Sequence, residues 1–360
     1  MGFLDNYEGN KERTDRWIAT FPLGRLEAHI VNFDADKGSI LVQAKAWRDQ
    51  NEIEPAGIDY AFGYLAAYNA NMKPVVSVQP GTVIEIETWD CFTGQVQKES
   101  DTLLTLDMSR INSATGPIEV VGAEPGDSLS VTLVDIKPGP QGAGMVIPQW
   151  GQLIDKAQSP QTRIFKVKDG TITMESNGVT FPARPMFGVI GVAPASGEIG
   201  TFFADRHGGN MDDHLNGIGA TVHLPVFQPG AQLAIGDMHA SMGDGEISGT
   251  GVEIGGTGII KVDLIKGNSA GWPVTELKDS WVTHGTASNI QDALRHACDE
   301  AAKLLVDEWG FTIEDAFIFL SVAGDLGIAQ NCHPMPDGFA VAKMRVPKIS
   351  RAPHPFKVQK

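Results

Sequence analysis

The sequence predicts an α+β protein dominated by β-structure, with packed sheets or a barrel-like β region and a helical segment near the C-terminus. Three observations predict it. Glycine (41) and proline (21) punctuate a 360-residue chain. Short Val/Ile/Thr-rich runs between about residues 30 and 265 end at Pro-Gly or Asn-Gly. Sustained helical periodicity is concentrated after residue 288. At this length one large domain or two intimately packed ones are expected, with ample core.

Residues 1–73 form an N-terminal segment that no pattern places, beyond one short helix expected over 57–68 (GIDYAFGYLAAY). The body of the fold is expected over 74–350, and 351–360 is a tail. Within the body a Pro-Gly turn launches an alternating strand three times: PGTVIEIETWD from Pro80, PGDSLSVTLVD from Pro125 and PGAQLAIGDMH from Pro229. Side chains alternate with period two, so each strand has one apolar face: Ile84, Ile86 and Thr88; Leu129, Val131 and Leu133; Leu233, Ile235 and Asp237. Continued, those faces end in Asp90, Asp135 and His239. For Asp135, which precedes the turn sequence KPGP, emergence into solvent accounts for the charge. Asp237 and His239 sit among further acids and glycines. An unpaired buried carboxylate costs several kcal/mol, so these two need partners, and a metal is the most economical common one.

Residues 288–308 carry Ile290, Ala293, Leu294, Ala297, Ala301, Leu304 and Leu305 at helical spacing, with Ser288 and Gln291 as a capping box and Gly310 as the stop. A second helix is expected from Thr312, with Asp315 three residues on, to about Val322.

The chemistry concentrates between Asp205 and Glu253, in DRHGGNMDDH and GDMHASMGDGEISGTGVE. Two imidazoles (His207, His239) and six carboxylates (Asp212, Asp213, Asp237, Asp244, Glu246, Glu253) fall among glycines that let backbone approach a ligand. Asp237 and His239 supply two metal ligands from one strand, His207 a third, and Asp244 or Glu246 the next. A divalent cation held by imidazole and carboxylate, with one open position, polarises a carbonyl and acidifies bound water, as amide hydrolysis demands. A carboxylate must then carry the proton to the departing nitrogen. Glu246 is assigned that role, with Asp244 as the competitor.

HGGNMD at 207–212, the 236–253 stretch, TGPIEVVGAEPGDSLSVTLVDIKPG at 115–139, ARPMFGVIGVAP at 183–194 and LSVAGDLGIAQ at 320–330 together resemble the acetamidase/formamidase family, in the family's order and over most of residues 74–350. The resemblance implies hydrolysis of a short aliphatic amide to carboxylate and ammonia. It also implies a β-rich α+β fold, a homo-oligomer and a divalent metal, zinc, whereas calcium is the ion expected if the cluster holds only a structural cation. It implies functional positions at His207, Asn210, Asp212, Asp237, His239, Asp244, Glu246 and Glu253. WDCFTGQV at 89–96 resembles the family's upstream motif and adds Asp90. The N-terminal segment and NCHP at 331–334 depart from the family pattern.

Other classes are weighed against this. A formal charge of −16 repels nucleic acid and anionic lipid. The N-terminal residues lack an apolar h-region and no window approaches a membrane span, so a cytoplasmic protein is expected. Cys91, Cys298 and Cys332 are too few and too scattered for a disulfide framework. Cys332-His333 is a poor nucleophilic pair, because neighbours on a strand point apart, and no Gly-x-Ser-x-Gly elbow occurs. His284, His296, His333 and His354 are expected to be surface or structural. Two alternatives remain: a metallohydrolase of another linear or cyclic amide, and a non-catalytic β protein holding a structural cation.

Overall fold

The computed structural model describes residues 25–34, 39–47, 58–61, 65–333, 339–350 and 352–356. In chain order the strands are β1 (Arg25–Asp34), β2 (Ser39–Trp47), β3 (Ile58–Ala61), β4 (Ala67–Asn69), β5 (Val76–Val78), β6 (Val83–Thr88), β7 (Ala114–Val120) and β8 (Ser128–Pro138). Then come β9 (Gln141–Val146), β10 (Gln161–Lys168), β11 (Thr171–Met174), β12 (Thr180–Pro182), β13 (Met186–Gly191), β14 (Glu198–Gly200), β15 (Ala204–Asp205), β16 (Gly208–Asn210), β17 (Thr221–Pro225) and β18 (Leu233–His239). The C-terminal third holds β19 (Gly256–Ile265), β20 (Val274–Glu276), β21 (Ser280–Ala287), helix α1 (Ile290–Lys303), helix α2 (Ile313–Ala323), β22 (Asp325–Gln330) and β23 (Ala340–Pro347).

An eleven-stranded sheet runs β1-β2-β3-β6-β19-β8-β17-β20-β21-β23-β22, and a six-stranded sheet runs β15-β16-β13-β18-β7-β5. Both are antiparallel except for the pairs β3/β6 and β5/β7. The apolar faces read from the sequence meet in one core. Ile84, Ile86, Leu129, Val131 and Leu133 of the large sheet pack with Ile118, Ile190, Leu233 and Ile235 of the smaller one, all fully buried. Each such side chain removed from water contributes roughly 1.5–3 kcal/mol. The β-rich α+β class is the observed one. A four-stranded sheet, β12-β11-β10-β9, lies beside this core.

The three Pro-Gly turns are present, with Gly81, Gly126 and Gly230 at φ +89°, +96° and +78°. Asp135 is 39% exposed at its side chain and lies 3.4 Å from Lys137, as emergence into solvent requires. Asp90 is different: β6 stops at Thr88, and both Asp90 oxygens accept from the Gly94 N–H at 3.2 Å. The acid therefore folds back on its own turn.

Two local expectations are corrected. Where a helix was expected over 57–68, the described residues form β3 and β4, with Leu65 N–H donating to Ala114 O at 2.8 Å. An extended partner, β6, is available alongside β3, and tertiary pairing overrides a short apolar run that could satisfy either period. The N-terminal strands β1–β3 thereby extend the main sheet. The first C-terminal helix is capped by Asn289, which accepts from Asp292 N–H, rather than by Ser288. It widens into a π-helical turn at Leu304–Glu308 before Gly310. The second helix begins where expected, with Thr312 accepting from Asp315 N–H at 3.1 Å. Among the described residues no helix is long and apolar enough to cross a membrane.

Helix α1 packs its small residues Ala293, Ala297 and Ala301 on β21 and β23. Gly285 permits the approach: a Cβ there would sit 2.4 Å from Ala297 N and 2.5 Å from Ala293 O. Gly285→Ala is expected to destabilise the fold by about 1–3 kcal/mol, since backbone on both sides must move. Gly200→Ala, whose Cβ would make only ordinary contacts, with the Phe203 ring at 3.6 Å and Ala66 O at 4.0 Å, serves as the neutral control in thermal unfolding.

Candidate active site

Five ionisable side chains converge where the end of β18 meets three loops. Asp212, Asp237, His239, Glu246 and Glu253 are 2, 3, 1, 7 and 2% exposed. Ligand atoms of Asp212, His239 and Glu246 lie within 4.8 Å of one another, as do those of Cys91, Asp237 and Glu253. His239 Nε2 joins the two groups, 3.4 Å from Asp237 Oδ1 and 3.0 Å from Glu253 Oε2.

Backbone pairing aims each side chain. Asp237 and His239 end β18, which pairs with β13 through Met186 opposite His239. Glu253 is clamped between that strand end and β9, exchanging backbone hydrogen bonds with Ala143 at 2.8 and 2.9 Å. Asp212 follows β16, with its N–H on Gly188 O at 3.2 Å. Glu246 sits on a loop tied to the end of β22 by Gly245 N–H to Ala329 O (2.8 Å) and Asn331 N–H to Gly245 O (3.0 Å). Asp212, Asp237 and Glu246 adopt φ +41°, +52° and +43°. Left-handed backbone at a non-glycine residue costs on the order of 1–3 kcal/mol, and three instances in one cluster mark a site built for something other than stability. Gly188 supplies the space, since a Cβ there would lie 2.3 Å from Asp212 Oδ1 and 2.6 Å from Asp237 Oδ2.

The electrostatics are severe. Burial pushes Glu246 up to about 7 and Glu253 up to about 8, and drives Asp212 well above the carboxylate range. Burial opposes the charge on His239, yet the adjacent Glu253 and Asp237 carboxylates raise it well above the ordinary imidazole value. Asp212 Oδ1, Asp237 Oδ1, Glu253 Oε2 and both nitrogens of His239 are buried without a hydrogen-bond partner among the described residues. His239 Nε2 is close enough to its carboxylates for ion pairing but is not aligned for a hydrogen bond. Uncompensated buried polar atoms are rare, and a convergent set of oxygen and imidazole donors is what a divalent cation requires. The residues therefore fit such an ion.

The structure places four of the expected residues outside the convergent group. His207 is buried, but it packs edge-on to Tyr68 at 4.8 Å and belongs to no group of converging ligand atoms among the described residues. Burial lowers its pKa to about 4. Asn210 spends its side chain on structure: Oδ1 accepts from Asn112 at 3.1 Å and Nδ2 donates to Phe202 O at 3.3 Å. Asp90 caps its turn beside the cluster. Asp244 is half exposed and faces away, 2.7 Å from His214 Nδ1 and 2.5 Å from Lys343 Nζ. With Asp213 and His284 these groups form a second network, and the Lys343 ammonium already occupies the position a cation would take between Asp213 and Asp244.

Three members were not read as parts of the site. Gln330, fully buried, donates from Nε2 to Asp212 Oδ2 at 2.7 Å and to Asn210 O at 2.5 Å, while its Oε1 lies 2.9 Å from His333 Nε2. Its signal was an amide closing the apolar run GIAQ. Cys91 borders Asp237 and Glu253, and Cys332 Sγ lies 3.6 Å from Glu246 Oε2. Burial and these carboxylates push both thiols up, so neither is the thiolate a nucleophile needs. Beside Gln330, the rings of Trp150, His333, Phe339 and Phe203 form a row with successive centroids 5.1, 4.0 and 5.7 Å apart.

Comparison with known proteins agrees with the motifs. The sequence model of the acetamidase/formamidase family matches residues 65–202 and 198–331. An acetamidase crystal structure from Bacillus halodurans superposes with a TM-score of 0.76 at 35% identity, covering 81% of this chain and 97% of that one. An acetamidase from Mycolicibacterium smegmatis is 26% identical over 348 residues, 71% of this chain and 84% of its own length. A Schizosaccharomyces pombe protein with a provisional formamidase name is 28% identical over 250 residues, and the match takes in 53% of this chain and 61% of that protein's length.

Two expectations follow from the geometry. Gly188→Ala forces Asp212 and Asp237 apart and should abolish divalent-cation binding, read by calorimetric titration, while the protein remains folded. The pH dependence has a definite sign. Carboxyls held at about 7 and about 8 when folded, above the usual carboxylate value when unfolded, add stability that is lost as pH rises through those values. The cation-free protein should therefore melt lower at pH 8.5 than at pH 6.5, a window above the lowered histidines, and saturating divalent cation should remove the difference.

Proposed function

The chain belongs to the acetamidase/formamidase family of amidohydrolases, and we propose that it hydrolyses a short aliphatic amide, formamide or acetamide, to carboxylate and ammonia with a divalent cation, zinc, in the buried acid cluster. The observation that carries this reading is the set of orphaned buried atoms on Asp212, Asp237, His239 and Glu253, converging above Gly188. Those four residues would hold the ion, with Cys91 at its border. When bound, such an ion supplies Lewis-acid polarisation of the amide carbonyl and acidification of water.

The remaining chemistry belongs to Glu246. Its oxygens are absent from the orphaned set, it is the most exposed of the five, and its carboxyl is raised to about 7. A group of that pKa takes a proton from the attacking water and returns it to the amide nitrogen at neutral pH. The carbon–nitrogen bond breaks as the new carbon–oxygen bond is completed, and ammonia leaves. Gln330 holds Asp212 in register during this, since both its amide hydrogens are committed. The three free cysteines suit a reducing, cytoplasmic setting.

Ammonia release from formamide, acetamide and propionamide, measured beside elemental analysis with and without chelator, tests the reading. Activity should vanish with the cation and return with it. Stoichiometric cation with no ammonia from any of the three would move the substrate to a larger or cyclic amide. Glu246→Gln is expected to lower kcat by about 100-fold or more with cation content unchanged. His239→Ala should lose the cation itself, and full retention would remove it from the ligand set.

A further inference from the structure

The geometry points to Lys343 as a positioning residue that sets the separation of Asp212 and Glu246 without touching substrate or cation, an inference that rests on the proposed site. Lys343 is the only buried Lys or Arg among the described residues, at 5% exposure. It lies on β23 directly opposite His284 on β21 and Gly327 on β22. That register sends the two strand neighbours, an imidazole and an ammonium, to one acid: His284 Nε2 is 2.8 Å from Asp213 Oδ2, and Lys343 Nζ is 2.8 Å from Asp213 Oδ1. The same ammonium donates to Asp244 Oδ1 at 2.5 Å, an oxygen that His214 Nδ1 also approaches to 2.7 Å.

Each partner of Lys343 stands next to a member of the acid cluster. Asp213 follows Asp212, and Asp244 precedes Glu246 by two residues, with Asp212 and Glu246 both in left-handed backbone. Asp212 and Glu246 bring carboxylate oxygens within 4.8 Å of one another, so as anions they repel each other. Two like-charged side chains on separate segments, one following β16 and one on a loop, need ties between those segments to hold their spacing; β22 supplies one, through Gln330 to Asp212 and Ala329 to Gly245, and a second lies outside the cluster. Lys343 is that tie, one cation bonded to both segments from the side away from the cluster. The candidate ligand group Asp213, His214 and Asp244 is accounted for at the same time, since the ammonium fills it.

Residues that orient metal ligands from outside typically change metal affinity or activity by 10–100-fold when removed. The test compares wild-type protein, Asp244→Asn, Lys343→Met and the double variant, reading Zn²⁺ affinity of the chelator-treated protein by competition, kcat and KM for the best amide, and the melting temperature. Asp244 is half exposed, so Asp244→Asn keeps the test alive if Lys343→Met does not fold. Asp244→Asn should weaken Zn²⁺ binding and lower kcat about 10-fold with KM within twofold, at a melting temperature close to wild type. In the double variant the losses should be far smaller than the product of the single ones, because Lys343 acts through Asp244. Wild-type affinity and kcat in Asp244→Asn, or fully multiplicative losses in the double variant, would overturn the assignment. A wild-type chain that releases ammonia without binding Zn²⁺ would instead sink the cation reading, and the kcat arm would still decide Lys343.

Discussion

The rest of the structure is organised around one electrostatic constraint: four carboxylates, Asp212, Asp237, Glu246 and Glu253, share a nearly water-free cavity with a single imidazole. Fully ionised and alone, such a group would cost tens of kcal/mol, more than the net stability of any domain of this size. The cluster exists only because protons or a cation compensate it. Burial raises the carboxyls of Asp212, Glu246 and Glu253, the direction in which protons supply that compensation. Cation binding and proton release are then one equilibrium, which makes the melting curve a probe of the active site.

The fold meets the constraint by separating the layers that stabilise from the layer that reacts. Two sheets bury an aliphatic core extensive enough to carry three left-handed acids at the edge of β18 and its neighbouring loops. Outside the cluster, Asp213, His284, Lys343, Asp244 and His214 form a paired network in which every anion meets a cation or imidazole. Burial would raise Asp213, but the His284 hydrogen bond and the Lys343 charge hold it well below the carboxylate range. The two acid networks are thus opposites. One is satisfied and keeps the backbone still, while the other is left unsatisfied towards its centre.

That contrast explains how much was legible in the sequence. The Pro-Gly repeat located the core faces, because a regular strand transmits side-chain direction over several residues, and the third copy ends in Asp237 and His239, which the structure brings into the candidate site. Legibility failed where neighbouring acids in the loops turn to different sides. Asp212 and Asp213 are adjacent yet belong to different networks, and Asp244 turns away from Glu246 across Gly245 at φ +90°. Composition treats the four as one acidic cluster, and only the backbone sorts them. Gln330 and Lys343 reach the region through strand register, and Cys91 through the turn after β6, across long sequence separations that no local pattern encodes. His207 stands apart from the convergent group, edge-on to Tyr68, with both ring nitrogens buried and without a hydrogen-bond partner among the described residues.

The same charge balance bears on what the cavity admits and what it expels. On the proposed reading, four carboxylates against a divalent ion leave the centre net negative, inside a chain already at −16. A neutral amide enters such a field without electrostatic penalty, and an anion does not. Hydrolysis converts the one into the other, so the carboxylate product is born among like charges separated by a few ångströms, where repulsion in a low-dielectric cavity is strong. Glu246, the most exposed of the five, is bordered by Cys332. An acid cluster that is costly to bury thereby favours turnover, because it binds the neutral reactant's charge state better than the product's.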